Sequence, residues 1–199
     1  MKKNTKVIYI ETPSNPLLKI VDIEKIAQFA KSKNITTIID NTFATPIIQK
    51  PILFGVDVVL HSATKYFGGH SDISAGAVAT SQAHIDKIWN LAKNLGGNLS
   101  DYSLWLLERS MKTLSIRVKA QQKNAKRLAK YLSESRFVKK VYYPGLKNHP
   151  NHNLAKKQMK GYGAMISFEF IDEIDPSLFL TSLNLIKPSM SLAELKALC

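Results

Sequence analysis

The sequence predicts an α/β fold, a mainly parallel sheet with helices on its faces, followed by a smaller α+β unit. Three observations carry this. Short β-branched runs alternate with segments of helical spacing through the first half. Two of those runs end on chemically capable groups, one on an acid and one on a hydroxyl–lysine tract. Beyond about Thr113 the texture changes to a long amphipathic helix, short strand-like runs and a polar loop.

Each element has a local reason. "KVIYIE" (Lys6–Glu11) alternates and is β-branched, so it reads as a strand, and the two prolines of "TPSNP" forbid a helix after it. From Asp22, an N-cap residue, Ile23, Ile26, Ala27 and Ala30 recur at helical spacing. "ITTIID" (Ile35–Asp40), "VDVVLH" (Val56–His61) and "AGAVAT" (Ala75–Thr80) are further strands. Helices follow at about Ser81–Asn94 and Ser103–Lys112, with Trp89 and Trp105 expected in the core. In the long helix Leu114, Val118, Ala125, Leu128 and Leu132 lie on or near one face. "VKKVYYP", the loop "GLKNHPNH", a short helix and the strand "GAMISFEF" complete the second unit. The expected division is residues 1–113 and 114–199, without internal repeats or low-complexity segments.

Composition narrows the function. The 199 residues are 45% apolar and 22% charged, a globular balance. No apolar run approaches the roughly 20 residues of a membrane span, and "MKKNTKVIYIE" carries no secretory h-region. A lone cysteine, Cys199, fits a reducing cytoplasm and has no nucleophilic role assigned. The net charge is +13, and between Arg109 and Lys160 Glu134 is the only carboxylate. The cations are mostly lysines at helical surface spacing without interleaved aromatics, so nucleic-acid binding is not expected.

The chemistry concentrates in "VVLHSATKYFGGHSDISAG", Val58 to Gly76. Lys65 at a strand tip can form a Schiff base with an aldehyde, although a lysine there is commonly a solvated loop cation. Ser62 and Thr64 offer hydroxyls to a phosphate, and Gly68 and Gly69 let the backbone turn closely around a ligand. Asp40 is either an N-cap or a counter-charge for a cation in a cleft. Pyridoxal phosphate needs such an acid against its ring nitrogen. Asp40 and Lys65 are 25 positions apart, which suits neighbouring parallel strands whose carboxyl ends share one ligand site. His149 and His152 stand at metal-ligand spacing but lack companions. His61 and His70 flank the lysine segment, where structural hydrogen bonding outweighs proton transfer.

The run "ETPSNPLLKIVDI…IIDNTFATPIIQKPILFGVDVVLHSATKYFGGHSDISAGAV" closely resembles the Cys/Met-metabolism, or transsulfuration, family of pyridoxal-phosphate enzymes. "LERSMKTLSIRVKAQQKNA", "VYYPGLKNHPNHNLAKKQMKGYGAMISFEF" and "SMSL" resemble that family's second domain. The resemblance implies a partial fold-type I large domain, like that of aspartate aminotransferase, joined to a partial C-terminal domain. It implies Lys65 as the Schiff-base lysine and proton carrier, Asp40 at the pyridine nitrogen, and Ser62 and Thr64 on the phosphate. Thr42 would lie against the ring, Asn15 at the phenolic oxygen or substrate carboxylate, and Ser191 at that carboxylate. The implied reaction is elimination or replacement on cystathionine, methionine or homoserine esters, in a cytoplasmic homodimer or tetramer. The family pattern is about twice as long, so the chain is expected to be a fragment, with a catalytically inactive remnant as the alternative.

Overall fold

The computed structural model describes residues 1–186, and Ser191 and Cys199 lie outside them. Among the described residues the first sheet has four strands in chain order: β1 (Val7–Glu11), β2 (Thr36–Asp40), β3 (Val58–Ser62) and β4 (Gly76–Thr80). β1, β2 and β3 are parallel, with Glu11 beside Asp40 and Asp40 beside Leu60. β4 runs antiparallel to β3, pairing Ser62 with Gly76. The link between β3 and β4 contains a single wide helical turn, Thr64–Gly68, and no crossover helix long enough to return the chain parallel. Register is pinned at the far end by Asp57. Its Oδ2 accepts from the Thr37 amide at 2.7 Å and the Thr37 hydroxyl at 2.8 Å.

Helix α1 (Ile23–Ser32) starts where Asp22 accepts from the Lys25 amide, and buries Ile23, Ala27 and Ala30. Ile23 and Ala27 pack with Ile10, Ile39 and Val59 of the sheet and with Val56 just before β3. The short α2 (Thr45–Ile48) follows the tip of β2. Helix α3 (Gln82–Leu95) buries no residue, and α4 (Asp101–Met111) buries Leu107 and Ser110. The expectation that Trp89 and Trp105 are core is corrected here: they are 57% and 56% exposed. Trp89 carries the Lys93 ammonium over its ring, and Trp105 stacks on Tyr102. Helical spacing marks a face as apolar without saying what covers it, and nothing within the described residues covers these.

Helix α5 (Leu114–Ser133) buries Leu114, Arg117, Val118, Gln121, Ala125 and Ala129. Leu128, expected on that face, is exposed, because the buried stripe runs through Ala125 and Ala129 instead. Strands β5 (Val138–Tyr142) and β6 (Ser167–Phe170) pair antiparallel, with α6 (His152–Gln158) between them. A further helix, α7 (Pro176–Ser182), begins where Asp175 caps the Ser177 amide; the sequence reading had placed none there. The largest buried cluster crosses Thr113, joining Ala44, Ala63, Tyr66 and Phe67 to Val118, Ala155 and Met159. No helix among the described residues is long and apolar enough to cross a membrane.

A buried chain of amides ties the second half to the first. Gln49 donates to the Thr12 carbonyl at 3.0 Å and to Asn41 Oδ1 at 2.9 Å. Gln158 of α6 donates to Gln49 Oε1 at 3.3 Å and to the Val21 carbonyl at 3.1 Å. Asn41 closes the set by donating to the Gln49 carbonyl. These amides lie directly behind the carboxyl tip of β2.

Candidate active site

The carboxyl ends of β1, β2 and β3 open onto a cleft of about 220 Å³, lined by Glu11, Pro13, Asn15, Asp40, Thr42, Phe43, Ser62 and Lys65. Five of the expected site residues therefore share one wall: Asn15, Asp40, Thr42, Ser62 and Lys65. Parallel strands place their last residues on one edge of the sheet, which is why positions far apart in sequence converge there.

Local bonds hold the cleft. Asp40 ends β2, and its Oδ1 accepts from the Thr42 amide at 2.9 Å, turning the chain away from the strand. The Thr42 hydroxyl accepts from the Ser62 amide at 2.8 Å, so the tips of β2 and β3 are fastened to one another. The Glu11 carboxylate accepts from the Asn15 amide at 3.1 Å, shaping the loop that brings Asn15 in. This loop contains two cis peptide bonds, Thr12–Pro13 and Asn15–Pro16.

Lys65 lies in a single wide helical turn, Thr64–Gly68, directly after β3. Thr64 does not line the cleft; its hydroxyl donates to the Ala75 carbonyl and accepts from the Ala75 amide, joining the turn to the segment leading into β4. Gly68 and Gly69 were expected to fold around a ligand, and the structure gives them another neighbour. A Cβ on Gly68 would stand 3.2 Å from the Ala63 carbonyl oxygen, and one on Gly69 (φ +75°) only 2.2 Å from an Arg117 nitrogen. Their small size serves the protein's own packing.

The histidines have structural surroundings. His61 is buried and stacks on Phe67 with ring centroids 4.7 Å apart. Its Nδ1 has no hydrogen-bond partner. Burial lowers its pKa to about 4, against a smaller opposing pull from Asp40. His70 Nδ1 meets the Gly68 carbonyl. His149 accepts from the Asn151 amide, and His152 meets the Pro144 carbonyl and stacks on Tyr162. No metal-binding group of three or more His, Cys, Asp or Glu is found among the described residues.

Glu11, Pro13 and Phe43 line the cleft without having been expected there. Glu11 was findable, since "YIE" ends on an acid just as "IID" does and the two acids lie side by side in register. The donor set suits a ring with an ionisable nitrogen and a carbonyl: an amine, two carboxylates, two hydroxyls and one aromatic side chain. The volume is below the roughly 300 Å³ at which drug-sized sites begin, which suits a one-ring ligand. Lys65 is the single cation in this lining, so the chain's provision for a phosphate is sparse.

The chain is 48% identical over 198 residues to the cystathionine beta-lyase of Lactococcus lactis subsp. cremoris (strain MG1363), covering 99% of this chain and 52% of that protein. It is 45% identical to the cystathionine gamma-lyase of Bacillus subtilis (strain 168), again spanning 52% of the relative. The crystal structure of cystathionine gamma-lyase from Lactobacillus plantarum complexed with L-serine superposes with a TM-score of 0.96 at 46% identity, over 98% of this chain and 51% of that one. The chain thus spans about half the length of the relatives it matches. A family model described as "Cys/Met metabolism PLP-dependent enzyme" matches residues 1–199, and the chain belongs to that family.

Proposed function

We propose that the protein to which this chain corresponds is a pyridoxal-phosphate-dependent lyase or transferase of sulfur amino acids. It would eliminate or replace the β or γ substituent of cystathionine, methionine or a homoserine ester. One observation carries the reading: Asp40 and Lys65, an acid and an amine, line the same small cleft at the ends of adjacent parallel strands. The relatives' names, cystathionine lyases and methionine gamma-lyase, supply the substrate class.

When bound, pyridoxal phosphate supplies an electron sink for the pair left at the substrate's α-carbon. Asp40 would hold the ring nitrogen protonated. Lys65 would hold the cofactor and would serve as the base that takes the α-proton and delivers a proton at the β or γ position. Thr42 anchors the Asp40 loop through its amide and supports the ring. Ser62 and Thr64 are assigned to the phosphate, with the Thr64 hydroxyl also serving Ala75. Asn15 is assigned to the phenolic oxygen or substrate carboxylate, and Ser191, outside the described residues, to that carboxylate. Residues 1–113 supply the cofactor wall, and residues 114–199 begin the domain that backs it. The exposed apolar face of α3 and α4 suits subunit contact in a homo-oligomer.

A second reading applies to the chain by itself: it binds cofactor weakly and turns nothing over. The lone cation in the cleft lining favours it. Both readings meet one experiment. Borohydride reduction of the chain with pyridoxal phosphate, followed by peptide mass mapping, is expected to place the label on Lys65 and to lose it in Lys65→Ala. Label spread equally over surface lysines in both proteins removes the cofactor reading. Selective label without release of a keto acid from cystathionine or methionine supports the second reading.

A further inference from the structure

The backbone that follows Lys65 is held by a cation with no acid beside it. Arg117, on α5, is 8% exposed. Its Nη1 donates to the Tyr66 carbonyl at 2.7 Å, and its Nη2 to the Phe67 carbonyl at 3.2 Å and the Ser110 carbonyl at 3.1 Å. Its Nε donates to the Thr113 hydroxyl at 3.1 Å. Every one of these acceptors is neutral, and none of the ion pairs among the described residues includes Arg117.

Enclosing a guanidinium among neutral dipoles is costly, and burial accordingly lowers its pKa. An apolar side chain would fill the space without that penalty. What an apolar side chain lacks is direction. The planar fork offers five N–H groups in fixed geometry, and here it turns two consecutive carbonyls, those of Tyr66 and Phe67, toward α5.

Those carbonyls belong to the two residues immediately after Lys65. The backbone at Lys65 leaves helical geometry (φ −83°, ψ −111°) within the turn, so the orientation of the next peptides sets where its side chain departs. Upstream, the Ser62 amide is fixed by the Thr42 hydroxyl. Downstream, Gly69 lets the guanidinium approach the turn closely. Lys65 therefore stands between two clamps, one in the loop after β2 and one on α5.

We infer that Arg117 is a positioning residue for Lys65, acting through the Tyr66 and Phe67 carbonyls to aim the lysine amine into the cleft. The inference rests on Lys65 being the reactive lysine proposed above. It assigns to α5, 52 positions downstream, a part in that site's chemistry.

The test compares wild type, Arg117→Lys, Arg117→Gln and Thr113→Val. Each is incubated with pyridoxal phosphate, reduced with borohydride and mapped, with the exposed Lys157 as internal reference. Visible circular dichroism of the bound chromophore is recorded before reduction. Far-ultraviolet spectra and melting curves establish folding. In folded Arg117→Lys and Arg117→Gln, the Lys65 labelling rate relative to Lys157 should fall about tenfold, the scale set by small misplacements of a reacting group. The induced visible band should also shrink at saturating cofactor. Thr113→Val, which leaves both carbonyl contacts, should stay within about twofold of wild type. If Arg117→Gln does not fold, Arg117→Lys, which keeps charge and stem, decides. A folded Arg117→Lys with wild-type labelling and a wild-type induced band overturns the positioning role. Wild type that shows no preference for Lys65 overturns the reading of Lys65 itself, and the inference with it.

Discussion

The tips of β2 and β3 and the face of α3 and α4 are built in opposite ways. Around the strand tips nearly every turn is fastened: Asp40 to Thr42, Thr42 to Ser62, Gln49 to Thr12 and Asn41, Arg117 to Tyr66 and Phe67. On α3 no residue is buried, and Trp89, Leu91 and Leu95 face outward, as do Tyr102, Leu104 and Trp105 of α4. Both regions carry groups that need a partner, buried polar atoms in one and exposed apolar carbon in the other. The first meets its needs internally. The second leaves its apolar side chains exposed, which is the observation behind the proposed subunit contact.

The sharpest way to break the contrast is to cut the internal fastening. Gln49→Leu leaves the Thr12 carbonyl and Asn41 Oδ1 without this donor and takes from the Gln158 amide one of its two acceptors, and should cost about 4 kcal/mol in urea denaturation. A loss under about 1 kcal/mol would mean that water replaces the amide and that the strand tips do not depend on it.

Acid should loosen the same region next. His61 is neutral in the fold, with its pKa lowered to about 4 from the ordinary 6.5. The unfolded chain therefore binds more protons between those values, and stability falls as pH drops from 6.5 toward 4, levelling below it. The loss should approach about 3 kcal/mol. His149, lowered by burial, acts in the same direction. His61→Phe keeps the stack on Phe67 and should flatten most of the slope between pH 7 and 4.5. An unchanged slope would assign the acid sensitivity elsewhere.

The open face should respond in the other observable. Trp89→Ser with Trp105→Ser should leave unfolding free energy within about 0.5 kcal/mol while lowering self-association in sedimentation velocity. A large stability loss would show that the indoles are packed within one chain after all. At the low end, Glu108→Ala removes an exposed pair with Lys112 and should change stability by less than about 0.5 kcal/mol.

What could be read in advance was local. The β-branched runs ending at Asp40 and His61, the Asp22 cap and the lysine turn are each written within a few residues, and strand ends in a parallel sheet bring Asp40 and Lys65 together without further information. Arg117 was not legible, because the carbonyls it holds lie 50 and 51 positions away and one of two arginines inside a lysine-rich helix carries no local mark. Gln49 and Gln158 were missed for the same reason, being 109 positions apart. The exposure of Trp89 and Trp105 was hidden differently, since periodicity gives a face and not its cover. The antiparallel return of β4 was available in the short link between Ser62 and Gly76.

The buried cluster that crosses Thr113 has a mechanical consequence. Ala155 of α6 and Met159 just after it share one packed interior with Ala63 and with Tyr66 of the lysine turn. A lobe carrying α6 cannot swing about a hinge at Thr113 without opening that interior, which close packing resists. Any adjustment of the second half over the cleft would have to proceed by shear, α6 sliding by small steps against α2 and the start of α1 while the contact persists. Ligand entry from that side would then be governed by movements of about an ångström rather than by the sweep of a lid.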